Sequence, residues 1–194
     1  SQKGYMIPPG LSFIAMSQKA WEAAEKSNLP KFYLNLKSYR KSLLSNSNPY
    51  TPAVNLVFAL DEALKMMREE GLDNIFLRHN KHKLAMSNAV KALNLKLFAD
   101  EKYLSPSITA IKTEGIDAEE FRKTIKNNFD ILLAGGQDHL KGKIFRVGHL
   151  GYVNDRDIIT VVSAMSNTLL KLGKISAQQA GEALVMASKY LKGN

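Results

Sequence analysis

The sequence of 194 residues predicts an α/β fold whose carboxyl-terminal part is a small α+β domain. Three observations support this class. A short apolar run at Leu11–Met16 is typical of a buried strand. Apolar residues at helical spacing run through Ala53–Glu70 and again through Leu72–Leu93. After Gly71, short apolar runs alternate with capped helical segments, which favours a short sheet covered by helices on one side.

The elements before the long helices are predicted from caps and apolar periodicity. Ser17 can cap a helix over Gln18–Ser27, because its hydroxyl can accept from a free amide of the first turn. Phe32–Leu36 is predicted as a short strand or extended segment. Lys37–Leu44 is predicted to be helical.

The clearest loop is Ser45–Pro52, in which two prolines hold the backbone extended before the helix Ala53–Glu70. Gly71 interrupts the helical pattern, and a domain boundary is expected there. The chain is thus predicted to divide into residues 1–70 and residues 71–194.

The part after Gly71 is predicted as an alternation of strands and helices. Strands are expected over Leu95–Ala99, Ile108–Thr113, Ile131–Ala134 and Lys143–Gly148. Helices are expected over Ala118–Asn128, from Asn154 or Asp155 to Leu172, and over Ala177–Leu191. Asp117 can cap the first of these helices, and Ser176 with Gln179 has the pattern of a capping box for the last.

Composition bounds the class of protein. Hydrophobic residues make up 45% and charged residues 23%, as in ordinary globular domains. No apolar run approaches the ~20 residues of a membrane span, so no membrane partner is expected. The chain has no cysteine and no signal-peptide pattern at its start, which favours a cytoplasmic location. It begins without methionine, which fits a fragment or a processed chain.

The net charge of +9 raises the question of an anionic partner. The lysines are spread over several predicted helical faces, and the densest basic group, Arg78–Lys83, lies inside a helical pattern. A solvated basic surface is the favoured interpretation, and no nucleic-acid partner is expected. A non-catalytic α+β module, used for dimerisation or for binding through this basic surface, stays open as the alternative.

Lys3 is the first candidate site residue. It lies in a short polar turn that is followed by Pro8-Pro9-Gly10 and an apolar run. The string Ser1–Leu11 resembles the Schiff-base lysine segment of class V aminotransferases, which are pyridoxal 5'-phosphate (PLP) enzymes of fold type I. The resemblance implies that Lys3 holds the cofactor and acts as a general base, a role that requires a largely desolvated amine at the end of a strand.

The loop before the long helix carries the second group of candidates. A rigid polar loop that leads into a helix N-terminus suits phosphate binding. In the family this loop reaches the cofactor phosphate of the other subunit. The resemblance therefore assigns Thr51, and with weaker correspondence Tyr50 and Asn48, to cofactor binding in a homodimer with shared active sites.

Arg146 is the third candidate, since it lies among apolar residues in the predicted strand Lys143–Gly148. A charge there is costly unless it is paired, and a guanidinium suits a carboxylate. A structural ion pair would satisfy it as well. The family has a similar Arg-hydrophobic-Gly pattern, and the resemblance implies that Arg146 binds the substrate α-carboxylate.

The resemblance is to the alanine/serine–glyoxylate or –pyruvate branch, and it implies transamination between such an amino acid and keto acid. It covers only the carboxyl-terminal half of the family, namely the end of the large PLP-binding domain (1–70) and the small α+β domain (71–194). The chain alone is therefore expected to be inactive without the missing amino-terminal half. Cysteine desulfuration is disfavoured because the chain has no cysteine.

The remaining polar residues carry weaker expectations. His79 and His82 are expected to be surface histidines rather than metal ligands, because no third ligand is apparent. Without cysteine the chain supplies no thiolate to a metal centre. The roles of His149 and of Gly135-Gly136 stay open.

Overall fold

The computed structural model describes residues 1–192. The chain divides into two compact units, Ser1–Met66 and Met67–Asn194. The division falls inside helix α3 (Val54–Glu70) rather than at Gly71.

The first unit contains α1 (Gln18–Lys26), α2 (Leu36–Leu44) and the first part of α3. Both short helices begin at side-chain caps, because the Ser17 hydroxyl accepts from the Ala20 amide and the Asn35 side-chain Oδ1 accepts from the Lys37 amide. Only Ile7 and Ala63 are buried within residues 1–66, so this unit has almost no core of its own.

The predicted strand at Leu11–Met16 is wrong. Phe13 and Ile14 are 50% and 64% exposed, and the segment has no strand partner among residues 1–192. All strand pairs of the described chain lie between Lys96 and Gly148. A strand needs a neighbour for its backbone groups, and apolarity alone does not supply one.

The extended segment expected at Phe32–Leu36 is also wrong. The Asn35 amide donates to the Phe32 carbonyl oxygen over 3.2 Å, and this closes a turn. Leu36 already belongs to α2, because the Asn35 cap starts that helix one residue earlier than expected.

The second unit contains the four-stranded sheet, with strands β1 (Lys96–Leu97), β2 (Ile108–Lys112), β3 (Ala134–Gly135) and β4 (Ile144–Gly148). Their order is β1-β2-β4-β3, and every neighbouring pair is antiparallel. The edge strand β1 is shorter than the predicted Leu95–Ala99. The strand predicted at Ile131–Ala134 is wrong except at Ala134, because the segment before it leaves the sheet and the Leu133 carbonyl oxygen accepts from Arg122 instead.

Four helices accompany this sheet: α4 (Leu72–Ala92), α5 (Ala118–Phe129), α6 (Asp155–Lys171) and α7 (Ala177–Leu191). Asn154 with Asp157, and Ser176 with Gln179, form the capping boxes of α6 and α7, and the second confirms the sequence prediction. Within residues 1–192, no helix combines the length and apolarity needed to cross a bilayer.

The helices cover one face of the sheet, as predicted. Ile111, Phe145 and Val147 point into the core that the helices share, and the rings of Phe121 on α5 and Phe145 lie 5.0 Å apart. Alternate residues belong to the opposite face, where Ile144 is buried and Arg146 is partly exposed. The sheet therefore presents Arg146 on the face that lacks a helical layer within this unit.

Candidate active site

Lys3 lies in a closed loop at the start of the first unit. The Ser1 hydroxyl donates to the Pro8 carbonyl oxygen over 2.9 Å and accepts from the Leu11 amide over 3.0 Å. Inside this loop the Met6 amide donates to the Lys3 carbonyl oxygen over 2.9 Å. These bonds hold the backbone around Lys3 in a compact turn.

The backbone of Lys3 is held in an unusual conformation. Its φ is 66°, in the left-handed region that non-glycine residues seldom adopt. Such a conformation costs on the order of 1 kcal/mol and persists only where the surroundings enforce it, most often at functional sites. The side chain itself is exposed and follows no strand, so the desolvated amine at a strand end that the sequence suggested is not found within residues 1–66.

Thr51 and Tyr50 lie in the loop before α3. Thr51 is exposed, and its hydroxyl has no hydrogen-bond partner among residues 1–192. At the start of the helix, the amides of Leu56 and Val57 both donate to the Ala53 carbonyl oxygen. A free hydroxyl beside a helix N-terminus has the donor chemistry that a phosphate needs.

Tyr50 is engaged by the chain itself. Its hydroxyl donates to the Phe32 carbonyl oxygen over 3.0 Å. Its ring lies 4.8 Å from the ring of Tyr33 and 6.0 Å from that of Tyr39. Within the first unit, Tyr50 therefore fixes the loop against the α2 region.

Arg146 is in the middle of β4 between two alanines. It pairs with Ala110 on β2 and with Ala134 on β3. Both of these cross-strand neighbours have small side chains. The structure confirms the expected strand. Because β4 is paired on both sides, the backbone of Arg146 is rigidly supported.

The guanidinium of Arg146 is held at one nitrogen only. Its Nε–H donates to the Gly135 carbonyl oxygen over 2.9 Å. Among residues 1–192, no carboxylate lies within ion-pair distance of Arg146, and no acceptor is bonded to Nη1 or Nη2. The structural ion pair that the sequence left open is thus absent from the described chain, and two donor groups are available for a carboxylate.

His149 locks the end of β4 onto the start of β2. Its Nδ1–H donates to the Pro106 carbonyl oxygen over 3.1 Å, and its Nε2 accepts from the Thr109 hydroxyl over 2.8 Å. The side chain is fully buried, and burial lowers its pKa to about 4. His149 is therefore a neutral structural residue directly after the strand that carries Arg146.

Unfolding free energy is expected to depend on pH through His149. The unfolded chain binds a proton below about pH 6.5, whereas folded His149 binds one only near pH 4. Stability should therefore be lost as the pH falls through this window, by about 3 kcal/mol at 1.36 kcal/mol per pKa unit. Denaturant unfolding between pH 4 and 7 tests this.

His149→Gln is expected to flatten that pH dependence, while His139→Gln, at an exposed histidine, should leave it unchanged. In His149→Gln, part of the pH dependence of the unfolding free energy will persist, because burial also lowers the pKa of His82. An identical slope in His149→Gln and the parent protein would contradict the assignment.

The loop after β4 is anchored by Arg78 on α4. Its Nη1 donates to the carbonyl oxygens of Gly151 and Val153 over 3.0 Å and 2.8 Å. Its other guanidinium nitrogens pair with both carboxylate oxygens of Glu70, and this hydrogen bonding lowers the pKa of Glu70. His79 adds a further anchor, since its Nε2 accepts from the Gly151 amide over 3.2 Å.

The expectation of a surface position is wrong for His82. The side chain is fully buried, and its Nε2 lies 2.9 Å from Asp155 Oδ1 at the start of α6. Lys81 also donates to Asp155, over 2.8 Å. Burial raises the pKa of Asp155, but the hydrogen bonds from Lys81 and His82 outweigh this and lower it. No cluster of residues suited to hold a metal is found in residues 1–192.

The candidate residues are distributed over both units. Lys3, Tyr50 and Thr51 belong to the first, and Arg146 belongs to the second. Sequence reasoning missed the contact between Arg146 and the Gly135 carbonyl group, which depends on the pairing of β3 with β4. The only sequence signal for it was the pair of adjacent glycines before the strand.

Comparison with known proteins gives a consistent family. No protein-family model matches the chain. The chain is 35% identical, over 100% of its length and 50% of the relative's, to serine–glyoxylate aminotransferase of Methylorubrum extorquens. The crystal structure of ureidoglycine–glyoxylate aminotransferase from Bacillus subtilis matches 97% of the chain and 50% of that protein, with a TM-score of 0.87 and 28% identity. The chain is thus similar, over about half the length of each, to aminotransferases of the class V type, and it shares their fold.

A third relative has a different name. The small subunit of a soluble hydrogenase from Synechococcus is 57% identical over 98% of the chain and 50% of the subunit. The chain spans about half the length of the curated relatives it matches. The aminotransferase matches agree with the fold type expected from the sequence.

Proposed function

We propose that this chain is the carboxyl-terminal part of a PLP-dependent aminotransferase that transfers an amino group between a small amino acid, alanine or serine, and a keto acid, glyoxylate or pyruvate. The observation that carries the proposal is the match of nearly the whole chain to two aminotransferases whose names share glyoxylate. The available guanidinium nitrogens of Arg146 suit the carboxylate that these substrates have in common.

Lys3 is assigned two tasks. Its amine is the attachment point of PLP, and it moves the proton at the substrate α-carbon in each half-reaction. When bound, PLP supplies an electron sink next to the substrate amino group and stores that group between the half-reactions. Attachment needs an amine that the PLP aldehyde can reach, and the exposed amine of Lys3 in its enforced turn meets this need. The desolvation that its role as a base requires would have to come from the amino-terminal half of the family.

Thr51 and Tyr50 are assigned to the cofactor phosphate. Thr51 offers a hydroxyl without a partner among the described residues, directly before α3. Tyr50 holds the loop through its bond to the Phe32 carbonyl oxygen, and this reduces the freedom that Thr51 must lose on binding. In the proposed homodimer, this loop serves the active site of the other subunit.

Arg146 is assigned to the substrate carboxylate. Its position in the middle of a paired strand gives it little backbone freedom, and its Nη1 and Nη2 can donate two parallel hydrogen bonds. Because every amino acid and keto acid of the proposed reaction carries the same carboxylate, one arginine serves both half-reactions. The amino-terminal half of the family would supply the rest of the cofactor site.

The name of the Synechococcus relative raises hydrogen activation as another activity. This chain contributes no cysteine thiolate to such chemistry, and no observation on its residues favours it. The non-catalytic basic module is the other competing interpretation, and its support is the net charge of +9.

The test is cofactor attachment in the full-length protein. Incubation with PLP should produce a visible absorption band, and borohydride reduction should leave a covalent pyridoxyl group on the peptide that carries Lys3. L-serine with glyoxylate should then yield glycine. A reduced adduct on another lysine would overturn the role of Lys3, and the absence of both band and glycine would favour the module.

A further inference from the structure

The unexplained glycine pair lies beside the guanidinium of Arg146. Gly135 pairs with Phe145 in the sheet, and its carbonyl oxygen accepts from Arg146 Nε over 2.9 Å. The Gly136 amide extends the pairing by donating to the Ile144 carbonyl oxygen over 3.1 Å. The backbone of Gly135 and Gly136, at the β3 edge of the sheet, therefore determines where the Arg146 side chain is held.

Gly136 is packed too closely for any side chain. A Cβ at this position would lie 2.6 Å from the carbonyl carbon of Leu140 and closer still to its oxygen. These are backbone atoms, which cannot move aside without shifting the turn at Asp138–Leu140. Glycine at position 136 thus allows the chain to fold back against its own edge strand.

A second arginine secures the same edge from the helical side. Arg122 on α5 donates from Nε to the Leu133 carbonyl oxygen over 2.8 Å, and its Nη1 pairs with Glu119 over 2.6 Å. The edge strand β3 has only 2 residues, so the side-chain hydrogen bond from Arg122 helps to fix its position. The segment Leu133–Gly136 is thereby held on α5 and on β4 together.

We propose that the segment Leu133–Gly136 is a positioning element for Arg146. By occupying Nε, the Gly135 carbonyl group leaves only the Nη1 and Nη2 end of the guanidinium for a carboxylate, and it fixes the plane of that end. The inference rests on the proposed function, because it assigns Arg146 to the substrate carboxylate. A prepositioned fork loses less conformational freedom on binding.

The experiment measures carboxylate binding at Arg146 without measuring turnover. Phenylglyoxal modifies accessible arginines, and peptide mass spectrometry reports the rate at each site. In the full-length protein, propionate is expected to protect Arg146 and not the exposed Arg68, which serves as an internal reference. Gly136→Ala is compared with Gly181→Ala, where an added Cβ meets no atom within 4 Å.

Gly136→Ala should raise the propionate concentration that gives half-protection by about tenfold, the effect of losing one well-oriented interaction. The KM for the keto acid should rise similarly with little change in kcat, whereas a merely structural lesion would lower the amount of active enzyme. Gly181→Ala should match the parent protein. Equal protection in Gly136→Ala and the parent would overturn the positioning role.

Two further outcomes are distinguishable. If propionate does not protect Arg146 in the parent protein, the carboxylate role itself is overturned, and the positioning role with it. If Gly136→Ala does not accumulate as folded protein, Arg122→Gln replaces it, because it removes the bond to the Leu133 carbonyl oxygen without adding bulk. About threefold weaker protection is then expected, and unchanged protection would overturn the proposal.

Discussion

Lys3→Ala in the full-length protein is expected to lower kcat for transamination by about 10³-fold or more. The substitution removes both the cofactor attachment and the base that moves the substrate α-proton, and general base catalysis alone contributes roughly 10²–10⁴-fold. Stopped-flow absorption of the serine half-reaction measures the loss directly. Peptide mass mapping after borohydride reduction should show no adduct on this peptide.

Lys19→Ala is the matched control, because Lys19 is an exposed lysine on α1 in the same unit. It should leave the rate and the adduct unchanged. Added ethylamine is expected to restore part of the proton-transfer rate in Lys3→Ala, since it can replace the missing base. Transamination at the parental rate in Lys3→Ala would remove the enzymatic role of this residue.

Arg146→Ala is expected to lower kcat/KM for serine and glyoxylate by about 10²–10³-fold, the cost of losing a charged, bidentate contact to a carboxylate. Arg146→Lys should recover only part of this, because a lysine keeps the charge and lacks the planar fork. Steady-state kinetics with each substrate varied separately measure the effect. Arg68→Ala, at an exposed arginine without an ion-pair partner among residues 1–192, is the control.

A donor without a carboxylate separates this role from a structural one. With ethylamine in place of the amino acid, Arg146→Ala and the parent protein should react at similar rates, because ethylamine has no carboxylate for the guanidinium to bind. An equal loss with both donors would instead indicate that Arg146 stabilises the sheet and does not contact the substrate.

Helix positions were predictable from the sequence because their determinants are local. Asp117 accepts from the Glu119 and Glu120 amides, and the Ser176–Gln179 capping box is formed as expected. Leu11–Met16 failed because a strand depends on a partner elsewhere in the chain. Apolar residues therefore indicate burial or pairing without identifying the neighbour that provides it.

The candidate site was predictable in part for the same reason. Arg146 could be found because a charge among strand-forming residues needs an explanation. Its contact with Gly135 could not, because it follows from the register between two strands separated by a turn. His82 was misplaced because its surroundings, including its hydrogen-bond partner Asp155, come from residues far away in the chain. The apolar periodicity of a sequence does not reveal contacts between residues that are far apart in the chain.

The uneven distribution of buried apolar residues has a consequence for protein synthesis. Within residues 1–66, Phe32, Leu34 and Leu44 are 80%, 76% and 83% exposed in the folded chain. Nascent segments of this kind are substrates for Hsp70-type chaperones, which bind short apolar stretches. Expression yield of this chain should therefore depend on chaperone supply.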